Sequence, residues 1–264
     1  MVVKSTNYDY KYEAAKQYFA EGQYNRASIL MQDVITALKG TDKGEESLFM
    51  LGLSSLYAKN YDAATSFFRK YYESYPRGIF TEEAHFYCGE ALYKNTPEPK
   101  LDQTATYEAV SEFQNFLELY PESRLRMEAQ NMIFALQDKL VEKEYLSAKL
   151  YYDLGTYFGN CTTGGSNYQA CIVTAQNAIK DYPYTTRRED FALLILQAKF
   201  ELAAHSVEAK KEERYHDAID EYYGFMNEYP ESKHMNAVQA LFMKAKKYVS
   251  TEDGGETDDT TQSK

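Results

Sequence analysis

At 264 residues, 44% of them hydrophobic, the chain can bury a substantial core, and with only six prolines and thirteen glycines most of it is free to be helical. A formal charge of −11 without any run of Lys and Arg excludes a nucleic-acid binder, which needs a basic stripe for phosphate. The longest purely apolar run, Phe191 to Leu196, is far short of the roughly twenty residues a membrane span needs.

The N-terminus, Met1-Val2-Val3-Lys4, lacks an apolar signal core, which leaves two readings open: a cytosolic protein, or a numbering that begins after a removed leader. Cys88, Cys161 and Cys171 make no CxxC and match no zinc spacing, and the four histidines are scattered, so neither metal nor cofactor is expected.

Taken in chain order, the first punctuation is Gly22-Gln23-Tyr24-Asn25-Arg26-Ala27, a glycine turn followed by a small residue. Leu48-Phe49-Met50-Leu51-Gly52 then aligns with His85-Phe86-Tyr87-Cys88-Gly89, which puts Gly52 and Gly89 where a neighbouring helix approaches. Tyr-Pro recurs at Tyr75-Pro76, Tyr120-Pro121, Tyr182-Pro183 and Tyr229-Pro230, accounting for four of the six prolines. Twelve residues before each proline stands a small residue (Ala64, Ala109, Cys171, Ala218), and eight before it Phe68, Phe113, Ala175 and Tyr222. Two closely crossing helices require such small-large alternation. The pattern resembles the tetratricopeptide repeat, a helix-turn-helix of about 34 residues.

The prolines lie further apart than that repeat length, and the excess marks insertions. Thr96-Pro97-Glu98-Pro99-Lys100 opens a loop in the third repeat, and Gly159 to Asn167 another in the fourth. Between them, Arg124 to Leu154 contains neither Gly nor Pro and carries Ala129, Met132, Ile133, Leu136, Leu140, Tyr145, Ala148 and Tyr152 at steps of mostly three or four. Pro121 ends the preceding helix, Ser123 can cap the next, and Gly155 marks its exit. In the fifth repeat Ser206 to Arg214 lengthens the turn with charge, and a last helix from about Lys233 to Val249 caps the stack. Thr251 to Lys264 has no apolar residue and is expected to be disordered.

The expected fold is therefore all-α: a tetratricopeptide-repeat solenoid of about five repeats with a long central helix and a C-terminal capping helix. Residues 1–125 form an N-terminal lobe of three repeats, and 126–154 the connecting helix that also opens repeat 4. Residues 155–249 form a C-terminal lobe, and 250–264 an acidic tail.

The run Asp138-Lys139-Leu140-Val141-Glu142-Lys143-Glu144-Tyr145-Leu146-Ser147-Ala148-Lys149-Leu150-Tyr151-Tyr152, with Gly155-Thr156-Tyr157 and Lys180-Asp181-Tyr182-Pro183, resembles the BamD family of outer-membrane assembly lipoproteins. The resemblance spans about residues 8 to 249. It implies a lipoprotein on the periplasmic face of the outer membrane of a Gram-negative bacterium, anchored through a cysteine upstream of Met1. The implied partners are a BamA-like barrel subunit, docked through the C-terminal half, unfolded outer-membrane proteins, and other lipoproteins of the BAM complex. In an oxidising periplasm Cys161 and Cys171 could bridge the Gly159–Asn167 insertion. Cys171 also holds the small-residue position of its repeat, where a buried thiol is ordinary.

Tyr61, Phe68, Tyr71, Phe113 and Phe116 occupy inter-helix positions and are read as packing. Tyr12, Phe19, Phe49, Tyr57, Phe86 and Tyr93 fall at first-helix positions that face the concave side of this architecture, and about half of them are expected to stay exposed. These six are the candidate substrate-peptide site. The competing reading is a tetratricopeptide adaptor or co-chaperone for other cell-envelope or cytosolic proteins, whose carboxylate clamp needs Lys, Arg and Asn on successive first helices. Those positions hold Tyr12 and Lys16, Phe49 and Leu53, Phe86 and Glu90. Catalysis has no motif behind it: no Gly-rich phosphate loop, GxSxG or HExxH occurs, and no enzyme is expected.

Overall fold

The computed structural model describes residues 5–157 and 166–252, and among these every regular element is an α-helix. They are α1 (Tyr8–Ala20), α2 (Tyr24–Ala37), α3 (Asp42–Tyr57), α4 (Tyr61–Ser74), α5 (Thr81–Asn95), α6 (Thr104–Leu119), α7 (Arg126–Leu154), α8 (Asn167–Asp181), α9 (Arg188–Ala204), α10 (Glu208–Glu228) and α11 (Met235–Glu252). Helices consecutive in sequence pack on one another from α1 to α6 and from α8 to α11, the arrangement of a tetratricopeptide-like solenoid.

The four Tyr-Pro turns are one backbone device used four times. The tyrosine C-caps its helix at φ −128°, ψ 66° (Tyr75), −129°, 64° (Tyr120), −126°, 66° (Tyr182) and −129°, 60° (Tyr229). A residue before proline is driven out of the helical region, and proline cannot continue the ladder, so each helix must stop there. The chain then folds back through an amide donating to the tyrosine carbonyl, from Gly78, Ser123, Thr185 and Ser232 at 2.9–3.1 Å. At the last three turns the Ser or Thr hydroxyl accepts the amide two residues on, from Leu125, Arg187 and His234. Glycine makes three further breaks, with φ of +74° at Gly22 after α1, +81° at Gly40 after α2 and +51° at Gly155 after α7.

The chain divides into two compact units, residues 1–140 and 141–264, with the division inside α7. In the first unit Ala27, Ala64 and Ala109 are fully buried, and so are Met31, Phe68 and Phe113 four residues further on. α7 contributes Ala129, Ile133 and Leu136 to this core. In the second unit Cys171 and Ala175, then Ala218 and Tyr222, repeat the register, and α7 contributes Val141 and Ala148 with Tyr145 and Tyr152 packed beside them. The fourth repeat has Ala175 where the second, third and fifth have an aromatic ring, and the α7 tyrosines supply aromatic bulk to the same cluster.

The insertion at Gly159–Asn167 lies outside the described residues apart from its last two residues, and Cys161 lies outside them with it. The proposed Cys161–Cys171 bond therefore rests on sequence alone, while the Cys171 thiol is buried and pushed up to about 12 by that burial. Asn167 is buried and its side-chain amide donates to the carbonyls of Gly155 and Tyr157 at 3.0 and 3.1 Å. The tail beyond Glu252 also lies outside the described residues.

Candidate functional site

Six aromatic residues on α1, α3 and α5 were expected to face a groove; the structure sorts them into two groups. Tyr12, Phe49 and Phe86 are buried. Phe49 stacks on Phe80, the residue before α5, with ring centroids 4.6 Å apart and planes within 5°, and meets Phe68 and Tyr71 edge-on. Phe86 stands edge-on to Phe113 and Phe116 of its own repeat's second helix. These offsets point into seams between packed helices, so the rings are core and are unavailable to a ligand.

Tyr12 closes the seam between the first two repeats with a polar network. Its hydroxyl donates to Glu46 on α3, and the Lys16 ammonium pairs with Glu46 at 2.8 Å while donating to the Tyr12 oxygen at 3.3 Å. Burial works to raise the Glu46 carboxyl, but the hydrogen bonds from Lys16 and Tyr12 outweigh it and hold the group below the usual carboxylate range. Lys43 pairs with Asp9 at 2.5 Å and lies 5.6 Å from the Tyr12 ring centre. The lysine that a carboxylate clamp would use is thus already bound to a carboxylate.

Phe19, Tyr57 and Tyr93 remain accessible, Tyr57 at 46% of its surface. Phe19 and Tyr57 lie 6.0 Å apart, and Tyr24 from the start of α2 completes a three-ring group at 5.5 and 5.1 Å from them. Sequence reasoning treated Tyr24 only as part of a turn. Its signal was an aromatic residue placed directly after Gly22-Gln23, where the turn sends it back over the end of α1. Tyr87 was also missed. It is half-buried against Phe49, Phe68 and Phe86, with centroids at 6.1, 5.8 and 5.6 Å. Burial pushes its phenol up, assisted by Tyr57, Glu90, Glu83 and Glu128 nearby.

Tyr87 also walls an open cleft of about 690 Å³ bounded by Glu82 and Glu83 of α5 and by the turn from Leu119 to Leu125. Among the described residues no group of three or more His, Cys, Asp or Glu could hold a metal ion, and no helix is long and apolar enough to cross a membrane.

In the second unit the Arg187-Arg188 pair is absorbed locally. Arg187 pairs with Glu142 and Asp190 and lies 4.7 Å from the Tyr145 ring centre, and Arg188 pairs with Glu228 at 2.7 Å. A mixed apolar surface is present on the last two helices, where Tyr223 packs on Phe242 and Tyr223, Met226 and Met243 are exposed.

No curated protein matches the chain. The sequence profile of the YfiO family, described as an outer membrane lipoprotein, matches residues 5–213, which takes in nearly all of the first unit, the whole of α7 and the second unit as far as the start of α10. With that profile covering most of an all-helical repeat chain, the protein belongs to the YfiO family of outer membrane lipoproteins, the BamD family that its long helix and Tyr-Pro turns resemble.

Proposed function

We propose that this lipoprotein is a non-enzymatic scaffold and substrate receptor of the outer-membrane β-barrel assembly complex. It acts at the periplasmic face of the membrane, held there by a lipid anchor. On this reading the first unit receives an extended, aromatic-containing segment of an unfolded outer-membrane protein, and the second docks a BamA-like barrel subunit. Other lipoproteins of the complex are further partners.

The observation that carries the receptor role is the accessible ring group Phe19, Tyr24 and Tyr57, with Tyr93 further along the same set of helices. Aromatic rings give a bound chain apolar contact at low side-chain entropy cost, and edge-to-face contacts suit an aromatic ligand residue. The exposed Tyr223, Met226 and Met243 support protein docking on the second unit. A co-chaperone reading loses its main residue, because Lys16 is bound to Glu46.

Affinity is expected to be modest, since an unfolded segment loses conformational freedom on binding and must afterwards be released. The test is fluorescence anisotropy with a labelled C-terminal peptide of a barrel protein, on wild type and on Tyr57→Ser/Tyr93→Ser. A loss of about tenfold is expected, equivalent to about 1.4 kcal/mol. Co-purification with the barrel subunit should persist. Unchanged peptide binding by the folded double variant would refute the assignment of this face.

A further inference from the structure

We propose that the cleft between the first turn of α5 and the Leu119–Leu125 turn takes a basic side chain of the bound segment, so that the first unit prefers an extended chain carrying Arg or Lys beside its apolar residues. The inference rests on the receptor reading above and specifies the charge of the substrate.

The argument begins from the shared backbone of the Tyr-Pro turns, which allows the two units to be compared position by position. A second cleft, lined by Glu189, Glu228 and Tyr229 to Lys233, sits at the equivalent turn of the second unit. There two of the three carboxylates, Glu189 and Glu228, are satisfied from within, while Glu231 has no such partner among the described residues. Glu189 accepts the Ser232 hydroxyl at 2.7 Å, and Glu228 accepts the Arg188 guanidinium at 2.7 Å and the Tyr229 hydroxyl at 2.9 Å.

In the first unit the same positions are filled differently. Glu82 takes the place of Glu189, Thr81 that of Arg188, and Leu119 that of Glu228. The Arg188–Glu228 ion pair is thus replaced by two uncharged residues. Among the described residues, Glu82, Glu83 and Glu122 have no hydrogen-bond or ion-pair partner, and one cation, Arg124, stands at the rim against these three carboxylates. On α3 and α5 themselves, Lys43 and Lys94 are held by Asp9 and Glu90.

The remaining walls are apolar: the half-buried rings of Tyr87 and Tyr120, with Leu125 and the exposed Leu119. An amphipathic cation matches such a lining. The methylene stem of Arg or Lys covers the rings and Leu119, and its charged head meets Glu82 and Glu83 without losing all its water. An acidic side chain would add to uncompensated negative charge. Tyr87 links the cleft to the aromatic core under the receptor face, since it packs against Phe49 and Phe86.

The test uses the full chain and a labelled, aromatic, uncharged parent peptide, together with a set in which a single Arg replaces Gln at each successive position. At the best position Arg should tighten binding by about three- to fivefold, the size appropriate to a partly solvated ion pair. That gain should vanish in Glu82→Gln/Glu83→Gln, with the parent peptide's affinity unchanged, and should persist in the control Glu189→Gln. Thermal unfolding of each variant establishes that it is folded at the assay temperature. If the parent peptide fails to bind wild type, the receptor reading falls and the inference with it. If the parent binds but Arg gives no gain at any position, or the gain survives in the double variant, the receptor reading stands and the basic subsite is overturned.

Discussion

Gly52 lies against the ring of Phe68 so closely that a β-carbon on the glycine would come within 2.6 Å of it. Gly89 and Phe113 repeat the relationship in the next repeat at 2.7 Å. Both rings are fully buried and have no room to turn away. The absence of a side chain on the first helix is therefore what admits the large residue from the second, and it fixes how closely the pair of helices can approach.

A paired substitution tests this. Gly52→Ala gains about 1 kcal/mol in helix propensity, but overpacking costs about 1–3 kcal/mol, and a contact below 3 Å with a rigid ring makes the steric term the larger. Gly224, inside α10, has nothing within 4 Å of its would-be β-carbon, so Gly224→Ala should stabilise by up to about 1 kcal/mol. Urea unfolding of the two variants should move the midpoint in opposite directions.

The latch at Glu45 yields a second prediction. Its carboxylate accepts the hydroxyl of the buried Tyr71 at 2.5 Å and the Ile79 amide at 3.1 Å, and the Tyr71 oxygen accepts the Phe80 amide at 3.2 Å. Glu45→Ala leaves the phenol without an acceptor, and the expected loss is about 1–3 kcal/mol in urea unfolding.

The Tyr12–Lys16–Glu46 network should make stability depend on pH. The Glu46 carboxyl is depressed below its ordinary value of 4.5 in the folded state, so its contribution is present above about pH 4.5 and is lost as pH falls through the lower folded value. The difference in urea midpoint between wild type and Glu46→Gln should be clear at pH 7 and should shrink steadily below pH 4.5. A difference that stayed constant down to pH 2.5 would mean that the carboxylate charge contributes nothing.

Alanine at Tyr12, Phe49 and Phe86 together should unfold the first unit rather than selectively weaken peptide binding, since each truncation of a buried aromatic costs about 3–5 kcal/mol. Circular dichroism of that triple variant should show a large loss of helix at 25 °C. Tyr57→Ser/Tyr93→Ser should keep the wild-type spectrum.

Within α7, Lys139→Pro removes a backbone donor and collides with the carbonyl one turn earlier, at a cost of about 3 kcal/mol or more. Lys139 also donates to Thr96 at 2.5 Å, a contact that the substitution abolishes. Limited proteolysis should cut the variant near residue 139 and leave fragments corresponding to the two compact units, each of which has its own buried clusters. Resistance at that site equal to wild type would show that the helix tolerates the break.

Most of the helices, their turns and the pairing of small with large residues were legible in the sequence, because each depends on neighbours in the chain; the turn expected over Ser206–Arg214 was not, since Glu208 to Arg214 form the first turns of α10. Proline after tyrosine stops a helix wherever it occurs, glycine takes positive φ at Gly22 and Gly155, and a residue such as Ala64 stands a fixed four positions from Phe68 on one face of one helix. Which aromatic residues stay exposed depended instead on side chains from other repeats. Tyr12 is covered because it meets Glu46, thirty-four positions away, and Phe49 because Phe80 stacks on it. Tyr57 at the end of α3 stays open, and Tyr24 joins it only because the Gly22 turn folds α2 back along α1. The charge of the cleft beside Tyr87 was likewise hidden: Glu82 and Glu189 are equivalent in the sequence, and only the folded chain gives one of them a partner and leaves the other without.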